Sequence, residues 1–400
     1  MDNSVYITGI GIISSIGNNV SENLNSLRQQ KTGIGKIKDL PTIHKDEIPV
    51  GQISLDFESL KKDLGLDPRT AYSATTLPGM KAAKEALENA KITDINSAKT
   101  GLISATTVGG MRETEQFYTD FLSEGKHKVY INKHEVGNST QQIADYLKIT
   151  DFVTTISTAC SSSANALMLG ARLIRQKHLD RVIAGGTDVL SKFTLNGFHS
   201  LKILDKNLCR PFDADRQGLN LGEAAAYLVL ESESSLRKSK KTPLARLSGY
   251  ANANDAYHQT ASSPEGTGAF LAMQQALSAA GLQTEDIDYI NAHGTGTPNN
   301  DLTESLALKQ LFGKKIPPFS STKTYTGHTL AAAGAVEAVY SVLALQHNLI
   351  FPNLRFQNKI EEIDIFPEVQ LIENKHIKNV LSNSFGFGGN DTSLIFSKIQ

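Results

Sequence analysis

Short apolar runs alternate with helix-periodic stretches along the whole chain. Runs at 5–8, 101–105, 152–156, 181–184, 227–231, 288–291, 380–384 and 393–396 read as strands. Apolar positions three and four apart mark helices at 21–28, 79–90, 113–122, 140–147, 162–175, 268–280, 302–311 and 331–346. Strands interleaved with helices predict an α/β protein whose mostly parallel sheet is covered by helices.

The pattern occurs twice. "KAAKEALENAKITDI" at 81–95 resembles "LAMQQALSAAGLQTEDI" at 271–287, and each leads through a short linker into a strand. "STACSSSANALMLGARLI" resembles "SSTKTYTGHTLAAAGAVEAVYSVL", a turn and then a helix rich in small residues. "LNLGEAAAYLVLE" parallels "FGFGGNDTSLIFS", a glycine turn and then a terminal strand. Two α/β halves are therefore expected, 1–240 and 241–400, packed about a pseudo-twofold that brings equivalent loops together. The charged, Pro-closed stretch "KSKKTP" at 238–243 is the expected joint. Ligands of such sheets gather at the carboxyl ends of the strands. Cys160, His293 and Phe387 follow predicted strands, and His328 follows a short apolar segment and precedes a helix.

Composition narrows the classes. The chain has 400 residues, ample for a core without covalent staples, and its formal net charge of -1 argues against nucleic acid as the main partner. Two cysteines suit a reducing compartment. The apolar start, "VYITGIGIISSIG", has no Lys or Arg ahead of it and reads as a buried strand and turn, not a signal peptide. The apolar stretch at 329–345 is interrupted by Glu337, so no membrane span is expected. These features predict a soluble, cytoplasmic protein.

Three side chains carry candidate chemistry. Cys160 opens a helix after the strand "FVTTIS", where free N–H groups and the helix dipole favour thiolate and can hold an oxyanion. A buried structural cysteine fits the same position. His293 in "NAHGTGTP" and His328 in "KTYTGHTLAAAG" each sit in a Gly/Thr turn of the half opposite Cys160, and Lys323 stands five residues before His328. A neutral imidazole there can donate or accept a hydrogen bond. Metal binding is the competing use, but the sequence has no HExxH, no CxxC and no close Cys/His pair, so no metal is expected.

The ordered set "VYITGIGIISSIG", "TACSSSANAL", "RPFDADRQGLNLGEAAAYLVLE", "NAHGTGTPNND", "KTYTGHTLAAAG" and "NSFGFGG" resembles the elongating β-ketoacyl-acyl-carrier-protein synthases, nearly end to end. The resemblance implies the thiolase fold, two duplicated halves in α-β-α-β-α layers. It implies that Cys160 takes an acyl group from a thioester, and that His293 and His328 hold the enolate left when a malonyl thioester loses CO2. Claisen condensation then gives a 3-oxoacyl thioester, in fatty acid biosynthesis. It also implies Lys323 beside the histidines, Glu304 pairing with that lysine, and Phe385 in support. Thr295 and Thr297 would bind the phosphopantetheine arm carried by the substrates, with no other cofactor. Phe387 would gate the acyl pocket and share an oxyanion hole with the Cys160 N–H, and Val108 would line the pocket, across a dimer interface. The implied partner is acyl carrier protein, met by a basic rim for which Lys61, Lys62, Arg69, Lys202 and Lys206 are candidates. A homodimer is implied, with the strand before Cys160 near its interface; a heterodimer with a related subunit is the variant.

The chain departs from the family pattern at Gly388-Gly389-Asn390-Asp391, where Gly-Gly-Thr-Asn is common, at "GLNLGEAAA", and at 63–80. These departures keep a specialised polyene or polyketide ketosynthase as the alternative pathway. Three rivals are weaker. A chain-length-factor-like subunit usually lacks the cysteine, "GIGIISSIG" is not the GxGxxG of a nucleotide-binding oxidoreductase, and a cysteine hydrolase would release free acid without CO2.

Overall fold

The computed structural model describes residues 4–239 and 241–399. The predicted joint therefore includes one position, Lys240, outside the described residues. The first half contains the strands β1 (Val5–Ser14), β2 (Ile34–Gly35), β3 (Val50–Gly51), β4 (Thr100–Ala105), β5 (Phe152–Ile156), β6 (Arg181–Asp188) and β7 (Ala224–Ser232). Its helices are α1 (Val20–Arg28), α2 (Phe57–Asp63), α3 (Thr76–Asn89), α4 (Met111–Ser123), α5 (Lys128–Ile131), α6 (Val136–Leu147), α7 (Ser162–Arg175), α8 (Lys192–Ser200) and α9 (Glu233–Ser239). The second half contains β8 (Ala245–Asn254), β9 (Tyr289–Asn291), β10 (Phe319–Ser320), β11 (Asn379–Gly386) and β12 (Asn390–Ser397), with α10 (Thr267–Ala280), α11 (Pro298–Phe312), α12 (Lys323–Thr326) and α13 (Ala333–His347).

The main sheet runs β10-β9-β11-β12-β8-β1-β7-β6-β4-β5. Read outward from its middle, both halves have one order: first strand, last, fourth, second, third. In each, the first pair and second pair are antiparallel and the outer pairs parallel. The duplication seen in the sequence is thus a duplication of topology, but the sheet is mixed and not mostly parallel as expected: five of its nine pairings are antiparallel, because each half returns its last strand beside its first. The halves join where β1 pairs antiparallel with β8, Val5 opposite Leu247 and Ile7 opposite Ala245.

All eight predicted strands and eight predicted helices form. β8 was not among them: "ARLSGYANAN" alternates polar with small or apolar positions, but its alanines, glycine and asparagines are weak strand formers, so its strand character comes from pairing on both sides.

Helices α3 and α6 cover the outer face of the first half-sheet, and α10 and α11 that of the second. Between the half-sheets lie α7 and α13, joined where the Ala335 N–H donates to Ser163 Oγ at 2.9 Å. Their small residues let two helices fit this middle layer. Among the described residues one helical stretch, Leu330–His347, is long and apolar enough to cross a membrane, and 89% of it is buried inside the molecule.

The repeat extends to single contacts. A methyl group on Gly9 of β1 would lie 2.1 Å from the Ala86 carbonyl oxygen of α3, and one on Gly249 of β8 would lie 2.3 Å from the Ala276 carbonyl oxygen of α10. Each glycine lets a helix backbone rest on its strand. Gly9→Ala and Gly249→Ala are each expected to lower the melting temperature, through an overpacking cost of about 1–3 kcal/mol. Gly197→Ala, inside α8 where a methyl group meets nothing within 4 Å, is expected not to lower it, and to raise it slightly through alanine's better helix propensity, in the same calorimetric scan.

Candidate active site

Three turns from both halves converge on one cavity of about 330 Å³, lined among others by Cys160, His293, His328, Thr295, Thr297, Phe385 and Phe387. Cys160 lies between β5 and α7, just past Ala159, whose φ of +52° is unusual for a non-glycine residue and marks a sharp turn. The Thr158 N–H donates to Ser162 Oγ at 2.8 Å and braces that turn.

The His293 turn leaves β9 and is pinned by two buried acids of α11. Glu304 accepts from the His293 and Gly294 N–H groups at 2.9 and 2.8 Å, and Asp301 from those of Thr295 and Gly296. The His328 turn is tied to the first half, because its N–H donates to the Asn220 carbonyl at 2.7 Å. The sulfur and one nitrogen from each ring lie within 4.8 Å of one another, and the imidazoles meet edge to face, centroids 5.4 Å apart. Sequence positions 160, 293 and 328 are thus brought together.

Hydrogen bonds set the tautomers. Lys323 Nζ has only protons to offer and lies 3.0 Å from His293 Nδ1, so Nδ1 accepts and Nε2 holds the ring proton. His328 Nδ1 accepts from the Leu330 N–H at 3.1 Å, which again leaves the proton on Nε2. His328 Nε2 is buried without a partner. Burial first, then the Lys323 charge, holds the proton affinity of both rings well below 6.5, and for His293 the His328 ring adds to this. Both rings are neutral donors near pH 7. They refuse protons that the unfolded chain accepts, so their burial costs stability as the pH falls below 6.5.

Two expectations are corrected. The helix start does not acidify Cys160: burial pushes its thiol up to about 11, against the opposing pull of the Phe387 N–H and Lys323. Desolvation of the charged form outweighs the backbone donors and the Lys323 charge. Nor does Glu304 pair with Lys323. Its carboxylate serves the His293 turn and Asn383, and Lys323 instead meets Glu337 of α13, with the His293 carbonyl at 2.5 Å. Glu337 was legible as the one acid of the apolar stretch at 329–345, where a lone charge in a buried helix calls for a partner.

The remaining positions divide. Phe387 is half-buried and stacks on Phe198 of α8, centroids 5.8 Å apart, a partner the motifs did not mark. Phe385 packs 5.8 Å from the His293 ring. Thr295 and Thr297 share a hydroxyl contact of 2.9 Å at the cavity wall. Val108 is absent from the cavity lining and packs with Leu190, Leu195 and Leu219 in a neighbouring cluster. Of the candidate rim cations, Lys61 pairs with Glu58, Arg69 with Asp67 and Lys206 with Glu47, and Lys202 adjoins the cavity residue Ile203. A Cys/His/His donor set is one a zinc ion accepts, but the Lys323 charge beside His293 opposes a dication.

Alkylation of Cys160 by iodoacetamide, followed by peptide mass spectrometry, is expected to accelerate with pH beyond the ordinary thiol range toward about 11. Lys323→Met removes the nearby cation and is expected to push that midpoint higher still. Saturation near pH ~8.5, the free-thiol value, would contradict the burial argument.

Two family descriptions match the chain: Beta-ketoacyl synthase, N-terminal domain, over residues 2–235, and Beta-ketoacyl synthase, C-terminal domain, over 244–357. The 3-oxoacyl-[acyl-carrier-protein] synthase 2 of Coxiella burnetii is 32% identical over 411 residues, covering 99% of this chain and 98% of its own. That of Staphylococcus aureus is 31% identical with the same coverage. Among solved structures, the ishigamide ketosynthase/chain length factor superposes with a TM-score of 0.92 at 30% identity, covering 99% of both chains. A ketosynthase from Xenorhabdus doucetiae, solved in complex with its chain length factor, gives 0.86 at 32% identity, covering 99% of this chain and 98% of that one. Matched in sequence and in fold over nearly its whole length, the chain belongs to the β-ketoacyl synthase family of acyltransferases.

Proposed function

We propose that this protein is a β-ketoacyl-acyl-carrier-protein synthase that extends acyl chains by decarboxylative condensation. The observation that carries the proposal is the pair of imidazoles, each with its proton on Nε2, beside the Cys160 sulfur in one cavity.

In the first half-reaction Cys160 sulfur attacks an acyl thioester carbonyl. The N–H groups of Cys160 and Phe387 both bear on that sulfur, which suits them to the oxyanion that forms beside it. The pantetheine sulfur leaves with the proton that Cys160 gives up. A malonyl thioester follows, its carbonyl oxygen accepting from both Nε2–H donors. Loss of CO2 leaves an electron pair as the enolate, which two fixed donors in a dry site stabilise. The enolate carbon attacks the acyl-Cys160 carbonyl, the carbon–sulfur bond breaks with its electron pair on sulfur, the Cys160 thiolate takes a proton from solvent, and the product is a 3-oxoacyl thioester two carbons longer. Because CO2 departs instead of a proton, neutral histidines suffice.

Thr295 and Thr297 suit the phosphopantetheine arm of an acyl carrier protein, and Lys61, Lys62, Arg69, Lys202 and Lys206 are the rim proposed for that acidic partner. β5 ends the sheet with all five residues half-exposed, an edge suited to pairing with a second copy or a related subunit. A cytoplasmic site of action and a division into halves at 240/241 belong to the same reading. Fatty acid synthesis is the favoured pathway, in keeping with the two 3-oxoacyl-[acyl-carrier-protein] synthase 2 relatives matched at nearly full coverage. A specialised polyene or polyketide pathway, possible with a chain-length-factor partner, is the second reading, favoured by the two ketosynthase structures.

Incubation with malonyl-carrier protein and a panel of acyl-carrier proteins is expected to give 3-oxoacyl products by mass spectrometry, unaffected by a chelator. Cys160→Ala abolishes extension. His293→Ala and His328→Ala still load acyl groups onto Cys160 but slow condensation by about 10²–10³, the scale for losing one oxyanion donor. Extension by Cys160→Ala sinks the proposal.

A further inference from the structure

The proposed oxyanion hole is assembled from two chain segments far apart in sequence, so something must fix their spacing. The turn at 158–161 supplies the Cys160 N–H, and the β11–β12 hairpin supplies that of Phe387. Where they touch, the hairpin residue is Gly386. A methyl group there would lie 3.0 Å from the Thr158 carbonyl oxygen, 3.2 Å from the Cys160 nitrogen and 3.2 Å from Ser161 Oγ. Contact alone lets two backbones slide. A directional link is needed to hold the N–H groups in register.

Asn390 provides that link. It faces Gly386 across the hairpin, at the foot of the turn that carries Phe387. Its Oδ1 accepts from Ser161 Oγ at 2.7 Å, from Asn165 Nδ2 at 2.8 Å and from Asn252 Nδ2 at 2.8 Å. Two donors come from the start of α7, immediately after Cys160, and the third from β8. These partners are themselves braced. Ser161 Oγ also lies 2.8 Å from the Thr158 carbonyl, so its single proton is shared between that oxygen and Asn390 Oδ1; Asn165 Nδ2 lies 2.9 Å from Thr158 Oγ1, and Thr392 Oγ1 donates to Asn165 Oδ1 at 2.9 Å. One carbonyl oxygen therefore ties the Cys160 turn, the Phe387 hairpin and β8 into a single polar knot. The outer side of the hairpin is held differently, by backbone bonds to the 254–263 loop, from Gly388 N–H to the Gln259 carbonyl and from Asp255 N–H to the Gly389 carbonyl.

The geometry points to Asn390 as a positioning residue for acyl transfer: through Ser161, Asn165 and Asn252 it holds the Phe387 N–H against the Cys160 N–H so that both reach one oxyanion. Asn390 touches neither the sulfur nor the cavity wall and acts through the backbone it fixes. It is also one of the positions where this chain departs from the common family pattern, so the span between the two turns is set here by an asparagine reach that threonine lacks. The inference rests on the acyl-Cys160 reading above and specifies how its oxyanion hole is built.

The test is the infrared carbonyl stretch of acyl-Cys160, formed from octanoyl-pantetheine with an isotope-labelled carbonyl. Hydrogen bonds from the hole lower that frequency, and a purely structural loss of stability does not move it. Asn390→Ala is expected to slow acylation by about ten- to a hundredfold, the scale of a small misplacement, and to raise the stretch. Asn390→Asp keeps an oxygen acceptor at the same reach and is expected to restore the wild-type frequency. Should Asn390→Ala not fold, Ser161→Ala removes one donor and is expected to raise the stretch partway. A wild-type stretch in acylated Asn390→Ala, or in Ser161→Ala, overturns the inference and leaves the function standing. Absence of acyl-Cys160 in the wild-type protein overturns both.

Discussion

The buried Lys323 ammonium is the constraint on which the site depends. It meets Glu337 from the central helix α13, the His293 carbonyl and His293 Nδ1 at once. The contact to Nδ1 sends the ring proton to Nε2, its charge adds to burial in keeping both imidazoles neutral, and the same charge pulls down the thiol pKa that burial raises. A buried charge left without its partner costs about 3–5 kcal/mol, so the Lys323–Glu337 pair ties the chemistry to the packing of α13. Ser384 of β11 closes this arrangement by donating to Glu337 at 3.1 Å.

Gene duplication would leave two copies of every loop, and the fold uses them unequally. In the first half, the turn ahead of the central helix α7 holds the nucleophile. In the second half, the corresponding region ahead of α13 holds Lys323 and His328, and the turn after β9 adds His293. Because α7 and α13 lie side by side in the middle layer, their starting turns face one another, and the attacking and stabilising groups meet without a long excursion of either loop.

Burial shapes each reacting group in its own way. For the histidines, exclusion of water is an advantage under the proposed mechanism: a neutral ring would donate to a developing enolate without competition from solvent. For Cys160 it works against the charged form, so the resting thiol stays protonated at neutral pH and the N–H groups of Cys160 and Phe387 provide local compensation. A resting thiol is protected from adventitious oxidation and becomes a nucleophile only where those donors and a substrate meet.

Most of the element order was legible from apolar spacing, because a strand and an amphipathic helix each bury a face with its own period. β8 escaped that reading because its strand state is conferred by neighbours on both sides. At the site, Cys160, His293, His328 and Lys323 were visible because their turns pair a chemistry-bearing residue with glycine, threonine or alanine. The pairing of Glu337, rather than Glu304, with Lys323 was not. Glu304 and Glu337 are both buried helix acids, and which of them faces the ammonium depends on how α11 and α13 lie against the His293 turn. The sequence by itself determined which groups are available and which local turns present them, since those follow from short-range backbone preferences. Only the tertiary structure decided the ion pairing, the His293 tautomer and the raised thiol pKa, because each depends on how separate turns and helices pack and on the water that packing excludes.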